Sequence, residues 1–386
     1  MAIYLDHAAT SPLRPEVLEA MLPYLTEHTG NPSSLHAAGR RARQGIDEAR
    51  ETLAALIGAA PREIVFTAGG TEADNLALKG VAWAASPRGK HVVISAVEHK
   101  AVLNAAAILE RSGFEVTTLP VDRYGRVDPA DVAEALTDRT TLVSVMAANN
   151  EVGTLQPIEE IGALVRAHHA RFHVDAVQWA AHLPIDVDAW QADLVSLSAH
   201  KLGGPKGVGA LFVRRGTQLL PQVQGGSQER QRRAGTENVA GIVGMAAAFA
   251  SVHAELDQEG DRQRGLAEQL RDGLLAHEGI TLTGDPKRRL PNNVSVVVEG
   301  VEGGDLVAAL DLEGIEVSTG SACTSGSTEP SHVLLAMGID PHTAHGSLRM
   351  TLGRETTAAD VARTLDVLTD VLPRLRGAGM PAAVEA

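Results

Sequence analysis

The stretch S-L-S-A-H-K-L-G-G-P-K-G, residues 196–207, decides how the rest of the chain is read. An apolar, strand-like run ends at a lysine, and a glycine-rich turn follows. Lys201 therefore stands where a strand gives way to a loop, the place where open α/β sheets present ligand-binding groups. Lysine amines form Schiff bases with carbonyl compounds. Ser198 and His200, just before it, can donate hydrogen bonds to a phosphate, and the glycines let the backbone turn tightly around a ligand. The alternative is a plain strand-to-loop turn with a surface lysine. Lys206 lies beyond the turn and is the weaker candidate.

Outward from this stretch, short β-branched runs alternate with amphipathic ones. The pattern predicts strands over 63–67, 91–95, 115–119, 141–147, 172–174, 194–198 and 208–213, with helices over 73–85, 101–111, 129–136 and 158–169. Such alternation implies an α/β fold with a mainly parallel seven-stranded sheet covered on both faces. From about Gly235 the texture changes. Helical patterns run over 239–256 and 262–277, followed by a strand at 293–298, a helix at 305–312, a Gly/Ser/Thr-rich loop and a strand at 347–352. This predicts a smaller α+β unit, on which the first dozen residues, strand-like at 3–5, pack. The expected division is a large domain at 15–256 and a small domain formed by 1–14 and 257–386, with a fraying tail from Gly377.

The chain has 386 residues, 44% apolar and 21% charged, which suits a soluble two-domain enzyme. A net charge of −14 argues against general binding to nucleic acid or membrane surfaces. Arg230, Arg232 and Arg233 form a local exception, either a solvated loop or a binding patch. Cys323 is the only cysteine, so an intrachain disulfide is impossible and an iron–sulfur cluster cannot be held by this chain alone. No basic-then-apolar leader and no apolar run of about 18 residues is present, so a cytoplasmic location is expected. His168, His169 and His173 fit no common metal motif, and no metal is expected.

Further residues carry chemistry. In H-V-D-A-V-Q, Asp175 sits just past a buried strand and Gln178 follows three residues on. Pyridoxal 5′-phosphate (PLP) needs a carboxylate against its ring nitrogen, because a protonated ring is the better electron sink. A helix N-cap is the alternative. In T-A-G-G-T-E, a strand runs into Gly69 and Gly70 and Thr71 then opens a helix whose N–H groups favour a phosphate, with Gly70 beside it, unless this is a plain glycine turn with Thr71 as an N-cap. His99 in V-E-H-K can stack on a ring and exchange protons, or it is structural. Asn150 in A-N-N-E-V-G can bind a ring or substrate oxygen. Cys323 lies among Gly, Ser and Thr, which suits an accessible thiol better than the buried hydrophobe a free cysteine usually is. Arg349 stands in an apolar strand, either to clamp a carboxylate or to pair with an internal acid.

The order and joint presence of Y-L-D-H-A-A-T, N-P-S-S-L-H-A-A-G-R, E-H-K, N-N-E-V-G, H-V-D-A-V-Q, S-A-H-K, G-T-E-N, G-S-A-C-T-S and L-G-R-E-T-T resemble the cysteine desulfurases, in the class V branch of the PLP-dependent aminotransferase fold type I. The resemblance runs from residue 4 to about residue 357. It implies removal of sulfur from L-cysteine, giving L-alanine and a persulfide on Cys323. It further implies a homodimer with Lys201 as the Schiff-base lysine, His99 stacking on the ring and Asp175 on the ring nitrogen. Asn150 and Gln178 would contact cofactor or substrate. Thr71, Ser198 and His200 would hold the phosphate, Thr236 the phosphate of the other subunit, and Arg349 the substrate carboxylate. The G-S-A-C-T-S run resembles the group with a long mobile cysteine loop, which hands sulfur to acceptors such as iron–sulfur scaffolds or tRNA-thiolation proteins. His7 and Ala234 depart from residues frequent in the family. A selenocysteine lyase, a class V aminotransferase and a catalytically silent sulfur-assembly scaffold are the competing readings.

Overall fold

Strands rich in Val, Ile, Leu and Phe, buried on both faces, form the centre of the computed structural model, which describes residues 2–320 and 329–378. The first part of the chain runs β1 (Ile3–Tyr4), α1 (Pro15–Thr26), α2 (Ala37–Leu56), β2 (Ile64–Thr67), α3 (Gly70–Ala85), β3 (His91–Ser95), α4 (Lys100–Arg111), β4 (Glu115–Leu119), α5 (Pro129–Ala135), β5 (Thr140–Ser144), α6 (Ile158–Arg166), β6 (Arg171–Asp175), β7 (Leu194–Ser198) and β8 (Gly209–Val213). The remainder is α7 (Gln228–Gln231), α8 (Val239–Leu275), β9 (Ile280–Leu282), β10 (Asn293–Val298), α9 (Gly303–Leu312), β11 (Ile315–Glu316), α10 (His332–Ala336), α11 (Pro341–His345), β12 (Ser347–Thr351) and α12 (Ala358–Ala378).

All seven expected strands form and join one sheet in the order β2-β8-β7-β6-β5-β3-β4. β7, β6, β5, β3 and β4 run parallel, and β8 is antiparallel to both its neighbours. Leu76, Val81, Val102 and Leu109 of α3 and α4 cover one face, against Val92, Leu142 and Leu211. The other face meets Val17, Ile46, Leu53, Ile161 and Phe249, packed on Phe172, Val174 and Phe212. Helices on both sides are what parallel strands require, because crossovers place them there.

A second core gathers Leu266, Leu270 and Leu274 of α8, Val294, Val296 and Val298 of β10, and Leu368 and Leu372 of α12. Its sheet is antiparallel, β12-β10-β9. β1 joins this half of the molecule by pairing parallel with β11.

The helical patterns at 239–256 and 262–277 are one continuous helix, not two. The polar run Asp257–Asp261 interrupts the apolar pattern without breaking the backbone. Gly260 costs about 1 kcal/mol there. Arg262 Nη2 lies 2.5 Å from Glu259 Oε1, and Gln263 Nε2 donates to the same oxygen at 2.8 Å. The apolar first half of α8 is spent on the first core, where Ile242, Met245, Phe249 and Val252 are buried.

β2 is an edge strand, and its outer backbone groups need partners. Glu229 supplies one, accepting the Phe66 N–H at 3.0 Å. Arg50 Nη1 donates to the Ile64 carbonyl at 2.7 Å. The two side chains pair bidentately at 2.7 and 2.8 Å and are almost fully buried. Glu229, Arg230 and Gln231 all have left-handed φ of 45°, 54° and 65°, which costs roughly 1–2 kcal/mol per residue. The buried pair holds that turn against the edge. Glu229→Ala leaves Arg50 buried without its anion and is expected to destabilise the protein by about 3–5 kcal/mol in urea denaturation.

Candidate active site

The carboxyl ends of β5, β6 and β7 and the start of α3 surround a cavity of about 440 Å³. Gly70, Thr71, His99, Asn150, Asp175, Gln178, Ser198, His200, Lys201 and Arg349 all line it. Thr236 does not; it is exposed in the segment before α8. Cys323 lies outside the described residues. Gly320 on one side of it, and Glu329, Pro330, Ser331 and His332 on the other, line the cavity.

Lys201 ends a short 3₁₀ turn directly after β7. Its Nζ donates to the carbonyls of Ala8 and Ala9 at 2.6 and 2.7 Å. Gln178 Nε2 donates to Ala8 at 2.9 Å, His200 Nδ1 lies 3.2 Å from Thr10 Oγ1, and Ser11 N–H donates to the His200 carbonyl. The first dozen residues thus do more than pack on the small unit. β1 pairs there, and residues 8–11 cross to lie along the Lys201 turn. Burial and the charges of Lys201 and Lys206 push the His200 imidazole down to about 4, so it is neutral.

α3 begins at Gly70, three residues before the expected start. Gly69 precedes it with φ 153°, a conformation side-chain-bearing residues rarely adopt. A Cβ on Gly70 would sit 2.8 Å from Val177 Cγ2, so only glycine lets the first turn approach the β6 loop so closely. Thr71 is the second residue of the helix and not its cap.

Asp175 ends β6 and is buried, with Oδ1 accepting the Val177 N–H at 2.9 Å. Burial raises its carboxyl above the ordinary range, while His99, the Val177 N–H and Lys201 oppose that rise. His99 caps α4, its Nδ1 accepting the Ala101 N–H at 3.1 Å.

Arg349 meets an internal acid. It is 2% exposed and pairs with Asp6 through Nη2 at 2.7 Å. Nη1 donates to the carbonyls of Asn150 and Gly320 at 2.9 and 3.1 Å. Its Nε is buried without a hydrogen-bond partner. Arg349 lines the cavity, and a cation in its wall suits a carboxylate.

Several residues in or around the cavity had no role assigned from the sequence. Asp6, Ala8 and Ala9 belong to Y-L-D-H-A-A-T, yet only the fold reveals that they meet Arg349 and Lys201. Asp74 is buried at the cavity, its Oδ1 without a hydrogen bond and 3.6 Å from His173 Nε2; burial, then Asp175, pushes its carboxyl well up. His173 lies behind, between Ser144 Oγ at 2.8 Å and Ser196 Oγ at 2.9 Å, and burial takes it down to about 3. Glu151 accepts the Ser331 hydroxyl. Glu98, beside His99, accepts from Ser95 Oγ at 2.5 Å and Met146 N at 2.8 Å. A carboxyl at a helix start reads as a surface cap in sequence, and nothing there signals its burial.

A family model described as aminotransferase class-V matches residues 3–364. The chain belongs to that family. Class-V aminotransferases of this kind are PLP-dependent. The cysteine desulfurase IscS of Dictyoglomus turgidum is 52% identical over 97% of this chain and 95% of its own length. Among solved structures, a NifS-like protein superposes with TM-score 0.92 at 37% identity, covering 97% of this chain and all of that one. SspA in complex with cysteine gives TM-score 0.81 at 37% identity, covering 91% and 98%. The cavity fits the family's cofactor. An amine at the strand end, a buried carboxylate for the ring nitrogen and a helix start for the phosphate converge on it, and the Arg349 cation stands in the same wall, where a substrate anion would meet it.

Burial raises the Glu98 carboxyl from its ordinary 4.5 to about 8. Between those values the folded protein binds this proton more tightly than the unfolded chain, so stability falls as pH rises through that window. Glu98→Gln is expected to flatten the fall, read as a smaller difference between urea midpoints at pH 5 and pH 8.

Proposed function

We propose that this chain is a PLP-dependent cysteine desulfurase (EC 2.8.1.7) that takes sulfur from L-cysteine, releases L-alanine and carries the sulfur as a persulfide on Cys323. One observation carries the reading: the Lys201 amine, the Asp175 carboxylate and the Arg349 guanidinium share one cavity, and the residues on both sides of the Cys323 segment border it. Cys323 is three residue steps from Gly320, a reach of about 11 Å at most.

Lys201 holds the cofactor and moves a proton at the substrate α-carbon. Asp175 holds the proton on the ring nitrogen; buried and backed by Lys201 and His99, it serves as the counter-charge. PLP, when bound, supplies an electron sink for the pair left on the substrate. Gly70, Thr71, Ser198 and His200 hold the phosphate. Arg349, fixed through Asp6, Asn150 and Gly320, holds the substrate carboxylate. Asn150 and Gln178 orient the ring and substrate oxygens, and His99 stacks on the ring. Cys323 then takes the substrate sulfur.

Thr236, exposed and outside its own chain's cavity, fits service to the phosphate of a second copy in a homodimer. We read residues 15–256 as the large domain and 1–14 with 257–386 as the small one. Iron–sulfur scaffolds or thiolation proteins are the natural sulfur acceptors, in the cytoplasm. The acidic net charge favours no nucleic-acid partner, and the core position of α8 favours no membrane.

Lys201→Ala is expected to lose the visible absorbance of lysine-bound cofactor; an unchanged spectrum overturns that assignment. Cys323→Ser is expected to keep the absorbance and to stop catalytic sulfide release from cysteine, measured with a thiol reductant present. Full turnover would refute the persulfide role.

A further inference from the structure

Of the three imidazoles that border the cavity, His99 and His332 are both fixed by their hydrogen bonds with the proton on Nε2, but on opposite sides of the bond: His99 through an occupied Nδ1, His332 through an occupied Nε2. His99 Nδ1 accepts the Ala101 N–H at 3.1 Å, so the neutral ring carries its proton on Nε2. In that state Nε2 donates a hydrogen bond and has no lone pair with which to take a proton. His332 stands in the first turn of α10, with Nε2 3.0 Å from the Glu98 carbonyl oxygen. A carbonyl cannot donate, so the His332 proton is on Nε2 and the lone pair on Nδ1. His332 lines the cavity, and Nδ1 is its accepting nitrogen.

The surroundings support that role. Ser331 caps α10 through the N–H groups of Val333 and Leu334 and donates to Glu151, which anchors His332 from the residue before it. Burial holds the His332 imidazole below its ordinary value, while the Glu151 carboxylate favours its charged form and Lys100 and His99 oppose it. The ring is thus neutral before reaction, with an anion nearby to offset the charge it gains.

We propose that His332 is a catalytic base of the desulfuration, accepting at Nδ1 the thiol proton of the cysteine substrate, while His99 only donates a hydrogen bond from Nε2. The S–H bond breaks, an N–H bond forms, the electron pair stays on sulfur, and the imidazolium keeps its bond to the Glu98 carbonyl. The proton then passes to water, since His332 is only half-buried. This rests on the cavity being the site of cysteine desulfuration.

The test compares holoenzyme variants at one pH, measuring alanine formed from cysteine and the cofactor absorbance. In His332→Gln the amide nitrogen replaces Nε2 and preserves the bond to Glu98, but no base remains. In His332→Ala both are lost and a hole is left. Both variants are expected to keep wild-type cofactor absorbance and a cysteine KM within about threefold, with kcat about 10²-fold lower. Added imidazole is expected to raise the rate of the Ala variant and not that of the Gln variant. A Gln variant at wild-type kcat, a Gln variant without cofactor, or an Ala variant indifferent to imidazole overturns the inference. Failure of the wild-type holoenzyme to form alanine would instead overturn the functional reading.

Discussion

Arg349 is a permanent cation almost wholly removed from water, and the cavity is organised around its compensation. A guanidinium so buried is tolerated only when an anion and good acceptors surround it. Asp6 arrives from the N-terminal strap, the Asn150 carbonyl from the loop after β5, and the Gly320 carbonyl from the edge of the Cys323 segment. One side chain therefore ties together the chain start, the large sheet and the second core. The same strap continues to Ala8 and Ala9, whose carbonyls receive the Lys201 amine. Cation and amine are held in register by one short length of backbone.

The strand pattern was legible because parallel strands buried on both faces read as continuous apolar runs. β2 to β8 fall within a few residues of their expected bounds. α1 and α2 were not legible. The buried face of α2 is carried by Gly39, Ala42, Gly45 and Ala49 as much as by Ile46 and Leu53, and small residues give little apolar periodicity. The exposed face of α1 carries Leu18, Leu22 and Leu25, which blurs its pattern. The polar interlude before Arg262 suggested a break in α8 that backbone bonding does not make.

Site residues were legible where side-chain chemistry coincides with a strand end, as at Asp175, Ser198 and Lys201. They were hidden where the main chain does the holding. Nothing in the sequence distinguishes Ala8 and Ala9 from other alanines, since their contribution is two carbonyl oxygens. Glu98, Asp74 and His332 were hidden for another reason: polar residues near helix starts suggest solvent, yet tertiary packing buries the first two and half-buries the third.

α8 carries the first core on its N-terminal half and the second on its C-terminal half. Its 37 residues span roughly 55 Å, and folding it in the middle would break several consecutive main-chain bonds. The two halves are mounted on a common stiff axle. Any change in the spacing between Lys201 and Arg349 must then be made by side chains and by the strap at residues 6–11, since swinging one half against the other would cost the axle its own bonding.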